Sequence, residues 1–414
     1  MATIAILGTM DTKGDEHAFV AEQIRQRGHQ VLVIDVGVLD EPKLKPDVTR
    51  TEVAAAAGMD LKSLVAKRDR GEAVTAMAQG APLVLARLAQ EKKIDGIISL
   101  GGGGGTAIGT AAMRALPIGF PKVMVSTLAS GNVAQYVGTK DIVMFPSIVD
   151  VAGLNRISRQ IFTLAAGAIC GMVEVEGQSS GRADSPKADP KTQDKPIVVA
   201  SMFGNTTECV QRAKAILEAA GFEVLVFHAT GAGGRTMESL IESGMVAGVL
   251  DVTTTEWADE LVGGFLGAGT TRLEAAAKCG VPAIVAPGCL DMVNFYGPES
   301  VPAKFQGRNF YQHNPQVTLM RTTSEECARL GAILAEKLNA SRGPVSVLIP
   351  KRAISVISAP GKPFHDPAAD SALFDNLKAH LRKDIPIIEM DCEINDPAFA
   401  EACAQALLKS ITTI

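Results

Sequence analysis

Two stretches decide the fold: "TIAILGTMDTKGDEHAFVAEQIRQRGHQVLVIDVG", Thr3 to Gly37, and "PIVVASMFGNTTECVQRAKAILEAAGFEVLVFHATG", Pro196 to Gly231. Each opens with a continuous apolar run, the mark of a strand buried on both faces. A turn rich in Gly and Thr follows, then a segment whose apolar residues recur near every 3.6 positions, as on an amphipathic helix. Gly28 and Gly221 stand where a helix ends in a left-handed residue. A second apolar run, "HQVLVID" or "FEVLVFH", completes a strand–helix–strand unit. Such units build parallel sheets with helices on both faces. Two of them predict two Rossmann-like, doubly wound α/β domains with mainly parallel sheets.

The chain has 414 residues, which suits two cores. Between the halves, "EGQSSGRADSPKADPKTQDKP" (Glu176 to Pro196) has almost nothing to bury and reads as a linker or exposed loop. The expected organisation is a nucleotide-binding domain over 1–175, a linker over 176–195 and a second domain over 196–414. The second domain is the expected substrate or partner side. Further strands are expected at Ile94–Leu100, Pro121–Thr127, Asp141–Ser147, Val246–Val252, Val281–Pro287, Pro344–Pro350 and Ile385–Asp391. Thr323 with Glu326 reads as a capping box. Asp366-Pro367 and Asp396-Pro397 each read as an N-cap followed by Pro at the first helical position.

Composition narrows the function. Hydrophobic residues make up 47% and charged residues 21%, a globular profile. The net charge of −5, without a basic run of five, argues against a nucleic-acid surface. No apolar stretch approaches the roughly 18 residues that span a bilayer. Asp11 and Lys13 come too early for a signal peptide. Seven cysteines without a CxxC pair read as reduced thiols. A cytoplasmic protein is expected, with no nucleic-acid or membrane partner.

Ligands of open α/β sheets sit beyond the carboxyl ends of the strands. Three loops of the first half fall there: "GTMDTKGDE" (Gly8–Glu16), "GGGGGT" (Gly101–Thr106) and "TLASGN" (Thr127–Asn132). A glycine run between strand and helix lets backbone amides approach an anion, and the helix N-terminus adds positive potential. Lys13 supplies a point charge, and Asp35 ends the second strand, where an acid often accepts from a ribose hydroxyl. The run lacks the Gly-Lys-Ser/Thr ending of a P-loop, so a tight packing turn is the competing reading.

In the second half, "DVTTTEWADE" sets Glu256 and Asp259 three apart on one helix face, and "APGCLDMVNF" sets Asp291 after a strand. His313 or His365 suits general acid/base work near neutral pH. Asp291 and Glu256 could orient it or hold Mg²⁺. Arg235 or Arg272 could clamp a second substrate's anion. Competing structural readings are a first-turn acid for Glu256 and loop residues for the histidines. No HExxH or GxSxG motif points to a zinc protease or serine hydrolase, and no metal-ligand spacing stands out.

"LGTMDTKGDEHAFV", "SLGGGGGTAIGTAAMRALPIGFPKVMVSTLASGN", "FGNTTECV" and "TTTEWADELVGG" with the following "GAGTTRLEAAAKCGVPAIVAPGCLDMVNF" resemble, over essentially the whole chain, one known family. It is the uncharacterised two-domain family related to the ATP-binding inhibitory region of the tomato mosaic virus resistance protein. The resemblance implies two Rossmann-like domains, ATP binding by the first, and a homodimer. It supplies no reaction.

The expected site for ATP, with Mg²⁺, comprises Gly8, Thr9, Asp11, Thr12, Lys13, Asp35, Gly102, Gly103, Gly104, Gly105, Thr106, Ser130, Gly131 and Asn132. The expected catalytic set is Asp291, Glu256 and His313. One functional expectation is an ATP-using enzyme of kinase or ligase type, acting on a small molecule in an inter-domain cleft. The other is a non-catalytic nucleotide-binding module.

Overall fold

The structure is a computed structural model that describes residues 1–67, 69–179 and 195–412. The chain divides into two compact units, Met1–Thr192 and Gln193–Ile414.

The first unit runs β1 (Thr3–Gly8), α1 (Met10–Gln26), β2 (Gln30–Asp35), α2 (Arg50–Ala56), α3 (Leu61–Lys67), α4 (Arg70–Gln90), β3 (Gly96–Gly101), α5 (Gly103–Arg114), β4 (Lys122–Ser126), α6 (Ala134–Val137), β5 (Val143–Pro146) and α7 (Arg156–Ser179). Its strands form one parallel sheet in the order β2-β1-β3-β4-β5. The order reverses beside β1, so the switch point lies between β1 and β3, where doubly wound folds bind ligands. β3 is buried along its whole length, as a central parallel strand requires. Ile4, Ile6, Ile98 and Val123 meet Val20, Ile24, Phe162 and Ile169 of α1 and α7 on one face. Ala5, Leu7, Ile97 and Met124 meet Met77, Val84, Ile108 and Met113 of α4 and α5 on the other.

The second unit runs β6 (Ile197–Met202), α8 (Thr207–Ala219), β7 (Glu223–His228), α9 (Ala232–Glu242), β8 (Val246–Thr253), α10 (Glu256–Val262), α11 (Glu274–Cys279) and β9 (Ala283–Gly288). It continues with β10 (Met292–Phe295), β11 (Phe310–Asn314), β12 (Val317–Arg321), α12 (Ser324–Asn339), β13 (Val345–Pro350), α13 (Pro367–His380), β14 (Ile387–Met390) and α14 (Pro397–Thr412). Six strands form a parallel sheet, β14-β13-β9-β8-β6-β7. Its order repeats that of the first sheet, with β6 in the place of β1. A separate antiparallel sheet, β10-β12-β11, stands apart from it; the sequence reading contains no such element.

Local signals behave as chain chemistry dictates. Gly28 and Gly221 close α1 and α8 with φ of +83° and +95°, values a side chain resists. Thr323 and Glu326 form the capping box of α12. Asp366 caps α13 through Ala369 N–H, with Pro367 at the first position. Asp396 behaves differently: its carboxylate accepts from Glu393 N–H at 2.9 Å, upstream of α14. The expected linker begins inside α7, which runs to Ser179, and 180–194 lie outside the described residues.

Candidate functional site

At the carboxyl ends of β1 and β3 the first unit holds a cavity of about 490 Å³, within the roughly 300–1,000 Å³ typical of small-molecule sites. Thr9, Asp11, Thr12 and Lys13 line it from the first loop, and Gly102 to Gly105 from the second. Thr127, from the third loop, joins them. Val36, Val38, Leu39, Leu64, Val74 and Ile108 give it an apolar wall.

The five glycines divide by task. None has a positive φ among the described residues, so conformation does not demand them. At Gly101 a Cβ would fall 2.8 Å from Gly105 Cα, so close backbone packing fixes that glycine. A Cβ on Gly103 would meet nothing within 4 Å. Packing leaves Gly103 free, and it lines the cavity.

The first i→i−4 bond of α5 runs from Thr106 N–H to Gly102 C=O, 2.8 Å. The amides of Gly103, Gly104 and Gly105 precede it and have no intrahelical acceptor. Gly102 caps the helix without a side-chain bond. The cavity wall therefore presents open amides and the positive end of a helix of 12 residues.

Other residues of the expected site have internal partners. Gly8 leaves room for a ring, since its Cβ would lie 2.0 Å from His17 Nε2. His17 is buried, with Nδ1 2.6 Å from Lys13 C=O, and burial holds its pKa below the ordinary value. Asp11 Oδ2 accepts from Leu39 N–H at 2.8 Å, pinning the loop after β2. Asp35 is buried; its Oδ1 accepts from Met10 N–H (3.1 Å) and Gly37 N–H (2.8 Å), and it is absent from the lining of this cavity. Burial, and then the nearby Asp11, raise its pKa. Thr12 Oγ1 donates to Thr9 Oγ1, 2.9 Å. Lys13 Nζ donates to Val151 C=O. Thr106 is buried against Ser126, with hydroxyls 2.6 Å apart. Ser130, Gly131 and Asn132 form an exposed turn, where Asn132 Oδ1 accepts from Ala134 N–H.

Three charged residues on the wall escaped the sequence reading: Asp69, Arg70 and Asp150. Asp69 caps α4 by accepting from Glu72 N–H, 3.0 Å. Nothing local marks them, because they lie about 30 residues before and 45 after the glycine run.

In the second unit the expected catalytic residues sit in separate surroundings. Glu256 is buried. Its Oε2 meets Arg272 Nε at 2.6 Å, and its Oε1 accepts from Gly231 N–H (2.7 Å) and Gly234 N–H (3.0 Å). Arg272 also forks onto Asp251 at 2.5 and 2.7 Å and reaches Glu238 at 3.1 Å. Burial opposes its charge, and the three carboxylates more than offset that. Asp291 is buried, accepting from Ser355 Oγ at 2.7 Å, and burial raises its pKa. His313 is exposed on β11, its ring 6.5 Å from that of Tyr311. Arg235 donates to Gly267 C=O, and His365 Nδ1 lies 3.1 Å from Ser358 C=O. Among the described residues no group of three or more His, Cys, Asp or Glu could hold a metal ion.

Asp259 bonds a different partner from Glu256, accepting from Asn294 N–H (2.8 Å) and Nδ2 (2.6 Å). Burial pushes its pKa up to about 7, against those hydrogen bonds. The folded value lies above the unfolded one of about 3.9, so the folded chain keeps a proton that the unfolded chain releases. This group's effect on stability is therefore a decline as pH rises from about 4 to about 7, flat beyond. Urea unfolding across that interval is expected to show the decline in the wild type and a shallower one in Asp259→Asn. Among the described residues Asn294 Oδ1 has no partner, so this amide can turn over and accept from the new Asn.

The two units are thus doubly wound α/β domains, the first with a glycine-walled cavity at its switch point. Models of the uncharacterised protein family UPF0261 match both: the N-terminal domain over residues 2–178 and the C-terminal domain over 195–411. The chain belongs to this family. It is 51% identical over 406 residues to a UPF0261 protein of Clostridium tetani, covering 98% of each chain. A UPF0261 protein of Rhizobium meliloti is 46% identical over 409 residues, again 98% of each. The ToMV resistance protein Tm-1(GCR237) of Solanum lycopersicum is 39% identical over 420 residues, 97% of this chain and 55% of the tomato protein. No helix among the described residues is long and apolar enough to cross a membrane.

Proposed function

We propose that the first unit binds an adenine nucleotide, ATP carried with Mg²⁺, in the cavity at its switch point. The observation that carries the reading is the set of open amides at Gly103, Gly104 and Gly105 on the wall of a cavity of about 490 Å³. Lys13 adds positive charge beside them, and the apolar side from Val36 to Leu39 suits a base. Asp150 is exposed on the wall and offers an oxygen to the cation that accompanies the phosphates. In this reading the nucleotide serves a reaction on a small molecule, of kinase or ligase type, in a cytoplasmic homodimer.

A second reading, in which nucleotide is bound without being consumed, draws on one observation. Glu256 and Asp291, the acids expected to do chemistry, are both buried in internal contacts. Calorimetric titration with Mg·ATP, followed by a phosphate-release assay, tests both. Heat of binding is expected; turnover favours the enzyme and its absence favours the module. A lack of binding by folded protein contradicts both.

A further inference from the structure

Among the described residues, the cavity wall carries a cation, Arg70, that the fold does not employ. Arg70 begins α4, and its Nη2 lies 4.0 Å from the position of a Cβ on Gly104. The same Cβ would lie 3.2 Å from Val74 Cγ2, so the start of α4 leans on the start of α5. Among the described residues nothing pairs with this guanidinium: no carboxylate and no carbonyl accepts from it. The neighbouring carboxylate, Asp69, is turned onto the first turn of α4. Lys13, the other cation on the wall, already donates to Val151 C=O. A guanidinium beside open amides, on the wall of a cavity of about 490 Å³, is placed to meet an anion.

We infer that Arg70 is a phosphate clamp: one phosphate group of the ligand is gripped between its guanidinium and the amides of Gly103–Gly105. The inference rests on the nucleotide reading for the rest of the ligand. It adds a side chain that grips the anion from beside those amides. Guanidinium presents paired N–H donors whose spacing matches two phosphate oxygens, which a lysine ammonium cannot do. Because Arg70 is exposed and makes no hydrogen bond or ion pair among the described residues, removing it costs the folded state little.

The experiment compares wild type, Arg70→Ala and Arg70→Lys in calorimetric titrations with Mg·ATP and, separately, with inorganic pyrophosphate. Melting temperatures are measured alongside. Arg70→Ala is expected to weaken both ligands about 10- to 100-fold, the range of one charge-assisted contact. Arg70→Lys is expected to recover only part of the loss. The melting temperatures without ligand should coincide, whereas a purely structural arginine would lower the melting temperature and leave affinity unchanged. Equal affinity of Arg70→Ala and wild type for both ligands overturns the clamp and leaves the nucleotide reading standing. Binding of pyrophosphate but not ATP by wild type overturns the nucleotide reading, and the clamp is then judged on pyrophosphate. Binding of neither overturns both.

Discussion

Gly103→Asp is expected to abolish most nucleotide affinity while leaving the protein folded and no less stable. The Cβ enters open space, so nothing is displaced. A carboxylate in the first turn of α5 complements the helix dipole and adds about 0.3–1 kcal/mol of stability. The same carboxylate occupies the ground where a phosphate would sit. Two like charges about 4 Å apart repel by about 4 kcal/mol at an effective dielectric of about 20. Magnesium on the nucleotide offsets part of this, which leaves an expected loss of about 100-fold or more. Titration with Mg·ATP and a thermal melt read the two effects separately. Lost affinity with an unchanged or raised melting temperature fits a cradle; unchanged affinity makes the run a packing turn.

The second large effect falls on stability. Arg272→Ala leaves Asp251, Glu256 and Glu238 facing one another in the interior without a counter-charge. Removing one partner from a buried ion network typically costs about 3–5 kcal/mol. Trp257, the chain's only tryptophan, lies beside Glu256 in α10, so its fluorescence follows the second unit. Its urea midpoint is expected to drop sharply in the variant. Burial already raises the pKa of Glu238 against the pull of Arg272, so without the guanidinium this acid holds its proton more tightly still in the folded state. The variant's deficit should accordingly be smaller at pH 5 than at pH 8. A deficit below about 1 kcal/mol, or one independent of pH, contradicts a structural role for this network.

Much of the architecture was legible because its signals are local. Continuous apolar runs gave the parallel strands, and Gly28, Gly221 and the Thr323–Glu326 box marked helix ends. The antiparallel sheet was not. Its strands have four or five residues, and "FYQHN" of β11 is largely exposed, so no apolar alternation marks it and His313 reads as a loop residue.

The site was legible only in part, for a related reason. The glycine run and the first loop announce themselves by composition. What Glu256 does depends on Arg272, which returns from 16 residues downstream, and on the amides of Gly231 and Gly234. Its spacing to Asp259 suggested a shared face, yet the two carboxylates bond different partners. Asp35 ends its strand as expected, but its Oδ1 serves backbone amides. Arg70 is an ordinary arginine in a polar stretch, and only the packing of α4 on α5 brings it to the glycines.

The central claim is that an anion meets the start of α5. Protein labelled with ¹⁵N-glycine and titrated with Mg·ATP tests it directly, because the reporters are the amides in question. The resonances of Gly103, Gly104 and Gly105 are expected to shift most, saturating with the calorimetric affinity, while glycines of the second unit such as Gly280 stay in place. Saturable binding that leaves those three amides unmoved would contradict the account.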